Sequence, residues 1–261
     1  MSLTLRQSLC LYRKLWKAEV LEMKIAILSD VHGNAVALDA VIKDLHAKKV
    51  ERVIVLGDLA YRGPEPARSI EIVQSLSDEV IKGNADEWVV RGVRNGEAPQ
   101  QALAIMQEEQ QWIRSRLNEE HVEYLATLPT ELYFETEGIR FHAFHATPNS
   151  LFQNVLQNEA DHELVEKLMK NKDADIYLYG HIHKAYKRII HGKTVVNVGS
   201  VGLPFDGIPK SSYVLIDVLK GQVEFHHIRV PYDLEKVCQL YDALDYPNAS
   251  KLKNIIRTGS N

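Results

Sequence analysis

The stretch Lys24-Ile25-Ala26-Ile27-Leu28-Ser29-Asp30-Val31-His32-Gly33 decides how the chain is read. Its apolar run has the length of a buried strand. Directly after it come two residues with metal- or proton-binding side chains, Asp30 and His32, and then a glycine. Open α/β sheets bind their ligands beyond the carboxyl ends of the strands, so a strand that ends in such donors is a candidate site edge.

The same order recurs downstream. Asp58 follows the apolar run 53–56, Asn84 follows 80–81, His145 follows 139–144, and His181 and His183 follow 176–179. Between the first runs lie helical patterns at 35–47, with Val36, Ala40, Val41 and Leu45 on one face, and at 67–76. Strand, helix, strand, helix, strand predicts parallel βαβ units with right-handed crossovers. Residues 100–128 are rich in Gln, Glu, Ala and Leu and read as two helices. A further helix is expected near 162–169, and strands at 132–134, 186–190, 194–198, 213–218 and 223–228. Two helices near 234–244 and 249–256 close the chain. No Pro/Gly/Ser linker divides residues 23–261, which are expected to form one layered α/β domain with a helical insertion at about 97–128. Residues 1–22 are read as an N-terminal extension, a start-site artefact or otherwise non-native. Leu5, Leu9, Tyr12 and Trp16 at helical spacing offer a basic amphipathic helix as the other reading.

Composition narrows the function classes. At 261 residues, 45% hydrophobic and 25% charged, the chain is neither disordered nor collagen-like. Lys+Arg total 31 against Asp+Glu 35, a net charge of -4, so there is no sequence-wide basic footprint and nucleic acid is not a favoured partner. No run approaches the roughly 18 to 20 apolar residues of a membrane span. Cys10 and Cys238 are too few for a disulfide framework, and a cytoplasmic location with free thiols is expected.

Taken singly, each donor has a plain structural explanation: Asp30 as a helix cap, Asn84 as a left-handed turn residue, a histidine as core or surface. Taken together, independent turns would all have to end in metal-ligand types at successive strand ends. Carboxylates, an amide and imidazoles suit Mn, Fe, Zn or Co better than an all-oxygen calcium cage. One carboxylate shared by two ions about 3.5 to 4 Å apart gives a two-metal arrangement.

The ordered motifs Asp30-Val31-His32, Gly57-Asp58, Gly83-Asn84, His145-Ala146-Thr147-Pro148 and Gly180-His181-Ile182-His183 resemble those of the calcineurin-like metallophosphoesterase superfamily. The stretch Asn197-Val198-Gly199-Ser200-Val201-Gly202-Leu203-Pro204 resembles its smaller bacterial phosphoesterases. The resemblance implies a four-layer αββα sandwich, two mixed sheets flanked by helices. It implies two divalent metal ions, Mn, Fe or Zn foremost, with Asp30, His32, Asp58 and His183 around the first. Asp58 bridges, and Asn84, His145 and His181 complete the second. Asp58, Asn84 and His145 are expected to serve catalysis as well as binding. The implied activity is hydrolysis of phosphodiester or phosphoanhydride bonds by an activated hydroxide, on a small phosphorylated substrate such as a nucleotide or dinucleoside polyphosphate. A homodimer is compatible with the sequence.

One departure stands out. Most members have a histidine after the motif asparagine that contacts the phosphate and protonates the leaving group, whereas this chain has Ala85, followed by Asp86. Asp86 or another histidine is left as the candidate substitute. Asn34 and Arg62, close to the motifs, are candidate substrate contacts. A catalytically silent metal-binding scaffold and a nuclease are the alternatives to the phosphohydrolase.

Overall fold

The alternation along the first strand sets the layering. In the computed structural model, which describes residues 23–261, β1 (Met23–Leu28) has Ile25 and Ile27 in one core and Ala26 and Leu28 in another, all four fully buried. A strand buried on both faces belongs inside a covered sheet, which is why its sequence is continuously apolar instead of alternating. The expected N-terminal extension lies outside the described residues.

β1 pairs in parallel with β2 (Arg52–Val55) and antiparallel with β8 (Ser211–Leu219), and β9 (Gln222–Val230) completes a four-stranded sheet in the order β2-β1-β8-β9. The second sheet has the order β3-β4-β5-β7-β6, from β3 (Glu131–Thr136), β4 (Ile139–Phe144), β5 (Ile176–Tyr179), β6 (Tyr186–Ile190) and β7 (Lys193–Asn197). Its central β4, β5 and β7 are parallel and its two edge strands antiparallel. Ile25, Ile27 and Ile216 of the first sheet meet Phe141, Leu178 and Val196 of the second in the core between them.

Helices cover both outer faces. Against the first sheet, Val41 of α1 (Ala35–Ala47), Ile70 of α2 (Pro66–Leu76), Val237 of α7 (Leu234–Ala243) and Ile255 of α8 (Ala249–Thr258) join the cluster that contains Ala26 and Leu28. Against the second, Leu164 of α6 (Asp161–Leu164) and Leu168 of the following π-helical turn (Val165–Met169) pack with Tyr177, Tyr179 and Val195. The result is the four-layer αββα sandwich with two mixed sheets. In the expected insertion, α4 (Leu103–Arg114) and α5 (Glu119–Thr127) bury Met106, Ile113 and Leu125 in the same cluster as α1 and α2.

Two details differ from the expected elements. Val80-Ile81 forms only an isolated parallel bridge, Val55 to Val80, because the amide that would carry the ladder on to Gly57, Gly83 N–H, is taken by Asp86 Oδ2. A short helix, α3 (Asn84–Arg91), then starts at the motif asparagine itself.

Candidate metal centre

The strand-end donors meet where the two sheets meet. Asp30, His32, Asp58 and His183 are all buried, and one ligand atom from each lies within 4.8 Å of the others. Asp30 Oδ1 is 3.0 Å from His183 Nε2, and the two Nε2 atoms of His32 and His183 are 3.1 Å apart. A second group adjoins it through Asp58. Its Oδ2 lies 3.6 Å from His32 Nε2 and 3.5 Å from His145 Nε2. Asn84 Oδ1 lies 2.9 Å from His145 Nε2 and 2.8 Å from His181 Nδ1. All seven expected donors therefore converge, with Asp58 between two sets of four.

Backbone carbonyls settle which ring nitrogens face inward. His32 Nδ1 is 2.7 Å from Tyr61 O, His145 Nδ1 is 2.7 Å from Leu56 O, and His183 Nδ1 is 2.5 Å from Leu203 O. A carbonyl only accepts, so each Nδ1 carries hydrogen and the neutral ring turns its Nε2 lone pair to the centre. Imidazoles that bind metals are oriented in this way. The lone pairs of His32 and His183 then face each other and Asp30 Oδ1, which has no hydrogen-bond partner. Inward-pointing lone pairs from two imidazoles and two buried carboxylates repel unless a positive charge sits among them. A divalent cation fits that requirement, and the mixed nitrogen and oxygen donors suit a borderline metal. In its absence protons serve: burial opposes charge on His145, but Asp58 and Asp30 outweigh it and raise its pKa to about 9. Burial works against the Asp30 and Asp58 carboxylates too, yet the neighbouring imidazoles hold both below the usual range. His181 is pushed down to about 4 by burial and by His145, and its Nε2 is buried without a partner.

The backbone at the site is strained. Asp30, His32, Asp58, His181 and His183 have φ of 56°, 49°, 58°, 67° and 56°. L-residues visit this left-handed region at a cost of roughly 1–2 kcal/mol each. The Asp-x-His and His-x-His pairs are thus tight turns with both donor residues left-handed. The buried runs beneath them compensate, at about 1.5–3 kcal/mol for each fully buried Ile or Leu.

Further residues hold these turns, and motif reading did not assign them this role. Asp86 is fully buried and accepts from three backbone amides, Asp58 N at 2.8 Å, Leu59 N at 2.8 Å and Gly83 N at 2.9 Å. Burial and the Asp58 charge raise its pKa to about 7 against those donors. Ala85 N–H donates to Asp58 Oδ1 at 2.7 Å. From the Asn197–Pro204 stretch, Ser200 Oγ donates to Asp30 O and Asn197 Nδ2 to Gly180 O. These bonds join segments over 150 residues apart in the first case, which local sequence does not reveal.

Asn34 and Arg62, the candidate substrate contacts, and the polar residues near the motifs are placed differently. Asn34 is 1% exposed, caps α1 by accepting from Ala37 N–H, and donates to Gly202 O, which leaves neither end of its amide for a substrate. Arg62 has φ of 69°, and its Nε lies 3.5 Å from Glu109 Oε2 without hydrogen-bonding to it. Trp88 and Arg91 are committed to Glu97, by Trp88 Nε1 at 3.1 Å and a two-pronged Arg91 contact at 2.6 and 3.0 Å. His142 packs between the aromatic rings of Phe144, Tyr133 and Tyr177 and bonds Glu131.

The profile of the calcineurin-like phosphoesterase superfamily domain matches residues 23–221. The chain belongs to that superfamily. As a calcineurin-like phosphoesterase it is 27% identical over 235 residues to an uncharacterised protein of Methanocaldococcus jannaschii, covering 81% of this chain and 89% of the relative. Its fold is similar to that of a metallophosphoesterase from Sphaerobacter thermophilus, with 25% identity, a TM-score of 0.75, and coverage of 91% of this chain and 99% of the other. It is also similar in fold to a hypothetical protein of Pyrococcus horikoshii, at 22% identity and a TM-score of 0.78 over 92% and 99% of the two chains. Among the described residues no helix is long and apolar enough to cross a membrane.

Proposed function

We propose that this calcineurin-like phosphoesterase is a dimetal phosphohydrolase that cleaves phosphodiester or phosphoanhydride bonds, dinucleoside polyphosphates among them. The observation that carries the reading is the pair of donor sets that share Asp58. Asp30, His32, Asp58 and His183 would hold one divalent ion, and Asp58, Asn84, His145 and His181 the other. Such a pair supplies Lewis acidity, lowering the pKa of water toward neutrality and offsetting negative charge on phosphoryl oxygens.

The chain's own residues do the rest by position. Asp58 offers Oδ2 to both sets while its Oδ1 stays fixed by the Ala85 amide. Carbonyls of Leu56, Tyr61 and Leu203 keep three imidazoles in the ligating tautomer. Arg62, whose side chain is 27% exposed, is the candidate phosphate contact from the loop after Asp58. At the position where most members of the superfamily carry a proton-donating histidine, Ala85 offers a methyl group, and both Asp86 oxygens accept from backbone amides. This segment supplies no proton to a leaving group. General-acid help is worth about 10² to 10⁴ in rate and matters most for strongly basic leaving groups. The favoured substrates are therefore anhydrides, aryl esters and activated diesters, and alkyl monoesters are poor ones.

A panel with Mn-loaded protein tests the reading. Hydrolysis of bis(4-nitrophenyl) phosphate and a dinucleoside polyphosphate, with an alkyl phosphomonoester far slower, supports it. Metal binding without turnover on any of the three favours the scaffold that the methyl group at Ala85 suggests. Equal rates on the alkyl monoester and the anhydride remove the leaving-group argument.

A further inference from the structure

We infer that Asp86 is a positioning residue for the bridging carboxylate Asp58, a role that rests on the dimetal reading and deepens it. The geometry is specific. The two oxygens of Asp86 collect the amides of Asp58, Leu59 and Gly83, and the amide one residue earlier, Ala85 N–H, grips Asp58 Oδ1. The start of α3 therefore holds Asp58 twice, by its main chain through Asp86 and by its side chain through Ala85.

The need for such a hold follows from the backbone. Asp58 sits at φ of 58°, and Gly57 before it at 87°. A left-handed aspartate on a turn after a four-residue strand reverts to ordinary φ unless something overdetermines it. Its amide would otherwise be a buried unpaired donor, costly in its own right. A carboxylate that accepts three amides aligns two loops, the one after β2 and the one before α3, from a point that touches neither substrate nor metal. Asp86 thus serves the ligand geometry, and its burial at 0% exposure keeps it from proton transfer to a substrate.

The test is Asp86→Asn, read by Mn²⁺ titration calorimetry and by kinetics at saturating Mn²⁺. The amide removes acceptor capacity and sets an N–H₂ against at least one N–H. Loss of an outer-shell partner typically lowers metal affinity by about 10 to 100-fold. The expected result is a folded protein with Mn²⁺ affinity reduced in that range, kcat reduced at least about tenfold, and KM unchanged, since Asp86 does not reach substrate. A folded variant with unaltered Mn²⁺ affinity and kcat overturns the inference, and so does a variant in which only thermal stability and KM move. If the variant does not fold, amide exchange in the wild-type protein decides. Strong protection of the Asp58, Leu59 and Gly83 amides with and without Mn²⁺ sustains it, and exchange at the unstructured rate at Asp58 and Leu59 overturns it. Absence of any Mn²⁺ binding by the wild type is a separate result that refutes the dimetal reading itself.

Discussion

Gly83→Ala isolates a push on Asp58. Gly83 has φ of -99° and ψ of 173°, which alanine adopts freely, so the substitution carries no backbone penalty. Its cost is contact. A Cβ built at Gly83 overlaps Asp58 Oδ1 and lies 2.5 Å from Asp58 N and 2.8 Å from Asp58 Cγ. Asp58 has no slack, because its amide is bonded to Asp86 and its Oδ1 to Ala85 N–H. One extra methyl in a packed site of this kind costs about 1–3 kcal/mol. At about 2–4 °C per kcal/mol for a chain of this length, the metal-free melting temperature should fall by about 2–12 °C. Displacement of the shared ligand should also shrink the further rise on adding Mn²⁺. Differential scanning fluorimetry with and without the ion reads both quantities. A variant that melts with the wild type and gains as much from Mn²⁺ would show that the Gly83–Asp58 contact does not constrain the centre.

Three other outcomes are expected. Mn²⁺ at 100 times its dissociation constant should stabilise the protein by about 2.7 kcal/mol per site, a rise of about 5–11 °C that EDTA reverses in the same fluorimetric scan. In steady-state assays, a nitrophenyl diester or an anhydride should be cleaved about 10² to 10⁴ times faster than an alkyl monoester, and comparable rates would remove Ala85 as the cause. Arg62→Ala should raise KM for phosphate esters while leaving Mn²⁺ stoichiometry unchanged by calorimetry, whereas a loss of bound metal would assign Arg62 to the centre instead.

Much of the architecture was legible because it rests on period and burial. The run at 25–28 has the length and apolar content of a buried strand, and the helix at 35–47 announced itself by its apolar face. The donors were legible because they follow short apolar runs, a positional signal that survives without knowing side-chain directions, even where the run before Asn84 forms only a bridge. What stayed hidden was long-range or conformational. The left-handed turns at Asp30, Asp58 and His183 are not written in residue type, since even aspartate and histidine, enriched there among non-glycine residues, adopt that region in a minority of cases. The commitment of Asn34 to Gly202, 168 residues away, depends on tertiary closure. So does the pairing of Arg62 with Glu109, which arrives from α4. Asp86 read as a candidate substitute for the absent histidine, and its commitment to backbone amides appears only once the loop after β2 lies against the start of α3.

The most direct test of the shared-ligand centre is metal content per chain, measured by calorimetric titration and elemental analysis of wild-type and Asp58→Ala protein. A shared-ligand centre predicts close to two Mn²⁺ per wild-type chain, and in the folded variant affinity weakened by more than the roughly 100-fold that loss of an outer-shell partner costs at most, at both sites together. A wild type that binds no metal, or an Asp58→Ala variant that keeps both ions at wild-type affinity, would contradict it.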